Sequence, residues 1–240
     1  PPSPLPPPSS PIGASGQALD GVRIAYETYG ALNERRNNAI LVCHATTGDQ
    51  YVASTHPITG KPGWWSRVVG PGKVLDTDRF QVICANVLGG CMGTTGPASP
   101  APDGQPWALR FPGITVRDMV RGHLALLDQL GIGQLYAVVG GSMGGMQALS
   151  LAANWPERAA RVLVIAATAA MPAQNIAFQE VGRQAIMADP DWQHGAYYGT
   201  GRAPDAGLSV ARMTAHITYL SEASMHEKFG RRLQDRDTKS

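Results

Sequence analysis

Short apolar strands alternating with helical segments predict an α/β fold, a mainly parallel sheet flanked by helices. The first observation is a set of nearly continuous apolar runs at residues 39–43, 80–87, 135–139 and 161–167, as expected of strands buried on both faces. The second is helical spacing over residues 115–130 and 143–154, between those runs. The third is their order: strand, helix and strand in succession require crossovers, hence parallel neighbours with helices on both faces.

Each element has a local reason. Residues 1–18 are rich in Pro, Ser and Gly and predict an extended, poorly ordered lead-in. Residues 21–29 place Val22, Ile24 and Tyr26 on one face, a half-buried strand. In 115–130, Met119, Leu124, Leu127 and Leu130 recur at helical spacing until Gly131 and Gly133 stop them. The helix from Met143 ends before Pro156. After Ala170 the character changes: 174–188 and 207–229 read as helices with no clear strand between them. Such a block after a strand end predicts a helical cap. The expected domains are the lead-in at 1–18, the α/β core at 19–170 and an incomplete cap at 171–240.

Composition excludes several function classes. The 240 residues suffice for one sizeable α/β domain, and 43% apolar content supplies a core. A net charge of +2, with basic residues scattered except near Arg231-Arg232, argues against nucleic acid and anionic membranes. No apolar run approaches the roughly 18–20 residues of a membrane span, and the first residues lack a signal peptide's basic and apolar regions. Cys43, Cys84 and Cys91 are an odd set that fits no zinc pattern. They read as reduced thiols of a cytoplasmic protein.

The chemistry centres on Gly140-Gly141-Ser142-Met143-Gly144, a G-x-S-x-G between an apolar run and a helix. A turn this tight strains the serine backbone and needs glycines around it. It lifts the Ser142 hydroxyl above the sheet and aims helix N-terminal N–H groups at whatever the serine attacks. The competing reading is a glycine-rich turn of a nucleotide-binding sheet. As a nucleophile, Ser142 needs a base to take its proton. The N–H of Met143 is one expected oxyanion donor; a second comes from the loop after an earlier strand. His44 precedes the nucleophile, against the Ser, Asp/Glu, His order of this elbow, and reads as a loop-ordering residue rather than the base. His123, on a helix, reads as structural. Trp64 and Trp65 read as packing rather than as walls of a substrate channel.

Several segments together carry a resemblance. They are Ala25 to Gly30, Cys43 to Asp49, Gly63-Trp64-Trp65, Asn86 to Cys91, Gly93 to Pro97, Gly140 to Gln147, Ala173 to Phe178, Ala211 to Met213 and His216 to Ser221. With these the chain resembles the homoserine O-acetyltransferases, acyl-CoA-dependent members of the α/β-hydrolase superfamily. The resemblance implies an α/β-hydrolase fold with a partial helical cap and its last strands missing. It implies acetyl transfer from acetyl-CoA, a co-substrate, to the hydroxyl of L-homoserine in methionine biosynthesis. The route is a two-step exchange through an acyl-serine, with no metal and no bound cofactor. The second oxyanion donor becomes the backbone N–H of Thr46, where the family more usually has leucine. Arg212 becomes the partner of the homoserine carboxylate, and Tyr219, about two helical turns on, a second substrate contact. A homodimer is implied for the full-length protein.

The same resemblance places the triad acid and base after the cap. His194, His216 and His226 follow Ser142 but fall within the predicted cap, and Asp189, Asp191 and Asp205 have no strand before them. The expectation is a C-terminally truncated fragment without its acid and base. Alternatives left open are succinyl as the acyl group, serine as the acceptor, plain serine hydrolysis, and a non-catalytic truncated relative.

Overall fold

The apolar runs form strands whose register brings three loop ends to one edge of a sheet. A computed structural model describes Leu19 and residues 21–230; the lead-in predicted for 1–18 and the Arg231-Arg232 pair lie outside the described residues. The chain divides into two compact units, Pro1–Ala169 and Ala170–Ser240.

In the first unit the sheet comprises β1 (Tyr26–Tyr29), β2 (Ala39–Cys43), β5 (Gln81–Ala85), β6 (Ala137–Gly141) and β7 (Val162–Ile165), ordered β1-β5-β2-β6-β7. A minor parallel pair, β3 (Val69–Gly70) and β4 (Leu75–Asp76), lies between β2 and β5 in the chain. β2 pairs in parallel with β5 and β6, and β6 with β7; β1 runs antiparallel to β5. The strand expected over 21–29 is shorter at its start. Before Tyr26 the backbone turns to other partners: Arg23 N–H and Ala25 N–H donate to the Thr95 and Thr94 hydroxyls.

β2 is buried along its length, and its alternate residues feed two cores. Ala39, Leu41 and Cys43 face one side with α1 (Val116–Gln129) and α2 (Met143–Asn154), which supply Val120, Leu124, Leu127, Ala148 and Leu151. Ile40 and Val42 face the other, covered by Val52, Trp65, Val69 and Leu75. That face is closed by loop and minor-strand residues.

α1 begins where its sequence says it should. The Thr115 hydroxyl accepts from Asp118 N–H at 3.2 Å and the Asp118 carboxylate accepts from Thr115 N–H at 3.0 Å, a reciprocal cap worth about 1 kcal/mol. Gly131 ends it with φ +69°, a left-handed position that a side chain would strain.

The second unit is helical: α3 (Ala173–Met187), α4 (Asp205–Tyr219) and α5 (Glu222–Phe229). The single helix predicted over 207–229 is therefore two. Leu220 is extended, and the Ser221 hydroxyl accepts from Ser224 N–H, starting α5 afresh. α3 meets α4 at small residues: a Cβ on Gly182 would sit 3.4 Å from the Ala211 Cβ. Asp189 joins them by accepting from Gly207 N–H at 2.8 Å and Asp191 N–H at 2.9 Å, and those bonds hold its carboxyl below the usual range. Among the described residues no helix is long and apolar enough to cross a membrane.

β7 ends the sheet with apolar side chains in water: Val162, Leu163 and Ile165 are 40%, 53% and 39% exposed. Such an edge templates association. Leu163→Lys should reduce self-association in sedimentation velocity and leave the melting temperature within about 2 °C, because its side chain gives up little burial. Equal association of parent and variant would locate the sticky surface elsewhere.

Candidate active site

Because β2, β6 and β7 are parallel, their carboxyl ends open on the same edge, where ligands bind in sheets of this kind. The residues that follow these ends are His44 to Thr46, Ser142 and Ala166. Of these, Ala45, Ser142 and Ala166 border a cavity of about 400 Å³ lined also by Cys43, Thr47, Trp64, Trp65 and Ile165, among other uncharged residues.

Ser142 sits between β6 and α2 with φ 55° and ψ −124°, a conformation that costs an L-residue of order 1–3 kcal/mol. Its backbone is held at both ends: Ser142 N–H donates to Ile165 O at 3.0 Å, and Ser142 O accepts from Met146 N–H at 3.1 Å. The side chain is exposed, and its hydroxyl makes no hydrogen bond among the described residues. The glycine requirement falls at Gly140 and Gly144. A Cβ on Gly140 would collide with the Gly144 carbonyl, and one on Gly144 with the Cys43 carbonyl. Gly141 has room, its nearest neighbour being the Ile165 carbonyl at 3.8 Å. The strain and contacts identify a strand–elbow–helix, with the first-turn N–H groups of α2 free beside the serine.

Thr46 and Met143 lie 97 residues apart in sequence and meet here, Thr46 Oγ1 to Met143 Sδ at 3.7 Å. The N–H of neither makes a backbone hydrogen bond among the described residues, so both remain available to an oxygen. Cys43 borders the cavity, but burial pushes its thiol up to about 12, which keeps it protonated and inert. Trp64 and Trp65 stack with ring centroids 5.4 Å apart. Trp65 packs on the core, yet both also line the cavity, so the pair serves packing and site together.

His44 is not placed to deprotonate Ser142. It is buried, its Nδ1 bonds Ala45 O at 2.7 Å, and its Nε2 accepts from Val87 N–H at 3.1 Å. Burial lowers its basicity. No histidine or carboxylate bonds Ser142 among the described residues. Arg212 and Tyr219 both lie on α4 in the second unit, seven positions apart and so on one helix face. Both are exposed, Tyr219 by 77%, and Arg212 makes no ion pair among the described residues. His194, His216 and His226 are also in that unit, none in a loop after a strand.

Sequence reasoning missed one buried polar chain. Gln147 is fully buried; its amide nitrogen reaches Met143 O at 3.3 Å and His44 O at 3.4 Å, and its Oε1 accepts from His123 Nε2–H at 2.8 Å. The available signal was spacing, since Gln147 lies one helical turn after Met143 and so beneath the elbow.

A model of the alpha/beta hydrolase fold family matches residues 38–239. The chain is similar to the homoserine O-acetyltransferase of Rhodopseudomonas palustris (strain BisB18), 61% identical over 223 residues that cover 92% of this chain and 56% of the relative. It is 61% identical to that of Zymomonas mobilis subsp. mobilis (strain ATCC 31821 / ZM4 / CP4), over 94% of this chain and 61% of the relative. Among solved structures it is similar to the homoserine O-acetyltransferase from Bacillus anthracis, with 31% identity, a TM-score of 0.85, and coverage of 92% of this chain and 61% of that one. It is also similar to esterase E22, with 34% identity, a TM-score of 0.84, and coverage of 93% and 62%. The chain thus spans 56% to 61% of the length of these curated relatives.

The buried His123 has a measurable consequence. Burial drives its imidazole from 6.5 down to about 4. Below pH 6.5 the unfolded chain takes up a proton that the fold refuses, so stability falls as pH drops from 6.5 towards 4 and is unaffected above. The loss reaches about 3 kcal/mol. Urea unfolding of His123→Gln should show a shallower decline than the parent over that interval; identical slopes would mean that His123 is not buried neutral.

Proposed function

We propose, for a chain that belongs to the α/β-hydrolase fold family, that it carries the nucleophile half of a homoserine O-acetyltransferase. The observation that carries the reading is the strained, outward-facing Ser142 beside two unbonded N–H groups. That arrangement suits attack on an acyl carbonyl and stabilisation of the oxyanion that forms.

The thioester carbonyl of acetyl-CoA is attacked by Ser142 Oγ, whose proton passes to a base. The tetrahedral oxygen is held by the N–H groups of Met143 and Thr46. CoA leaves as the thiol, and the acetyl group stays on the serine as an ester. The homoserine hydroxyl then attacks, loses its proton to the same base, and departs as O-acetylhomoserine, returning Ser142. The chemistry calls for no metal and no redox cofactor. The base and its orienting acid are supplied from outside residues 1–240, in keeping with the fraction of the relatives' length that the chain spans.

The uncharged cavity lining supports acetyl over succinyl, because a distal carboxylate would lose water there without gaining a partner. Arg212 supports an amino-acid acceptor, its planar fork matching a carboxylate. α3 and α4 expose Ile176, Val181, Met213 and Ile217, surface in keeping with a homodimer of the whole protein. A cytoplasmic role in methionine biosynthesis completes the reading. Plain ester hydrolysis by the serine is the second reading, favoured by the similarity to esterase E22.

Purified from the cell that makes it, the protein should release CoA in a burst before homoserine is added and carry one acetyl group on Ser142. Ser142→Ala should remove the burst and lower turnover by about four orders of magnitude or more. Release to water at the same rate with and without homoserine would favour the hydrolase reading. Arg212→Lys should raise the KM for homoserine by about ten- to a hundredfold with kcat little changed, as expected from loss of a two-pronged carboxylate contact. An unchanged KM would remove Arg212 from the substrate site.

A further inference from the structure

We propose that His44 is a positioning residue that aims the Thr46 N–H at the oxyanion formed during attack by Ser142. The inference rests on the reading of Ser142 as nucleophile and goes beyond it by assigning what sets the direction of the second donor.

The Ala45–Thr46 peptide is trans, so its carbonyl and its N–H point in opposite directions. Holding one therefore aims the other. The Ala45 carbonyl accepts twice, from His44 Nδ1–H at 2.7 Å and from Gly48 N–H at 2.9 Å. The N–H on the far side of the plane is left unbonded.

The other end of the imidazole dictates which nitrogen carries the proton. Val87 N–H, just beyond β5, can only donate, and it meets Nε2 at 3.1 Å. The Asn86 amide nitrogen also approaches Nε2, at 3.3 Å, while Asn86 Oδ1 is taken by Met92 N–H. Facing two donors, Nε2 must be bare, so the single proton sits on Nδ1 and points at Ala45. A second proton would set an N–H against both donors. Behind the ring, Gln147 reaches the His44 carbonyl and ties the same loop to the first turn of α2. His44 thus links β5, β2 and the elbow helix, and its tautomer follows from the fold.

His44→Asn and His44→Gln separate the two ends of the ring. The asparagine amide takes the place of Nδ1 and keeps a donor for Ala45. The glutamine amide reaches the place of Nε2 and keeps an acceptor for Val87 instead. By nuclear magnetic resonance, the Thr46 amide should stay near its parent position in His44→Asn and move in His44→Gln, with Met143 unmoved in both. A matching shift in both variants, or in neither, overturns the proposal. The unsubstituted chain offers a test free of folding defects: its His44 ring nitrogens should report Nδ1 protonated and Nε2 bare, and the reverse tautomer overturns the proposal. In acetylation of Ser142, His44→Gln should lower kcat by about a hundredfold and His44→Asn by about tenfold or less, with KM within about twofold. A raised KM at unchanged kcat overturns it. Should the amide pattern hold while the parent protein shows no Ser142-dependent acetylation, the positioning stands and the transferase reading falls.

Discussion

The close approach of the first turn of α2 to the ends of β2 and β6 is the constraint on which the site depends. It requires bare backbone at Gly140 and Gly144, each of whose Cβ atoms would strike a main-chain carbonyl. With those two positions open, the helix starts directly after Ser142 and its unpaired N–H groups lie beside the serine. Ser142 is then forced into a positive φ, because chain direction must reverse within one residue. The strain is offset by hydrogen bonds at Ser142 N–H and Ser142 O, and by the packing of Ala148 and Leu151 beneath. Rigidity and exposure of the hydroxyl have a common origin.

The polar residues under the elbow follow from the same geometry. A loop leaving a buried strand carries carbonyls that water cannot reach, and each needs a partner. His44, Gln147 and His123 provide them in a connected chain from Val87 to α1. Buried imidazoles are tolerated only as neutral rings, which explains the lowered basicity of both histidines. An apolar substitute at Gln147 would remove the amide that the His44 carbonyl bonds, next to the reacting atoms.

Apolar surface is distributed unevenly. In the first unit β7, at the end of the sheet, exposes three apolar side chains within four residues; in the second apolar surface runs along α3 and α4. Both lie in a chain that spans 56% to 61% of the length of its curated relatives. An edge strand of Val and Ile and a helix pair with exposed Met213 and Ile217 are surfaces built to be covered.

Local chemistry left a clear record in the sequence. The apolar run of β2, the Thr115 cap, Gly131 and the Gly-x-Ser-x-Gly turn each depend on neighbours a few residues away, so the elements and the elbow were legible at once. Contacts between distant segments were not. The break at Leu220-Ser221 leaves only a weak local signal, because a serine one residue past a helical pattern caps or continues it with similar ease. The tautomer of His44 depends on Val87, 43 residues on, and the burial of Gln147 on His123 across two helices. Such partners meet only when parallel strands bring their carboxyl ends to one edge, since long-range pairing, not local propensity, chooses what surrounds a buried polar group.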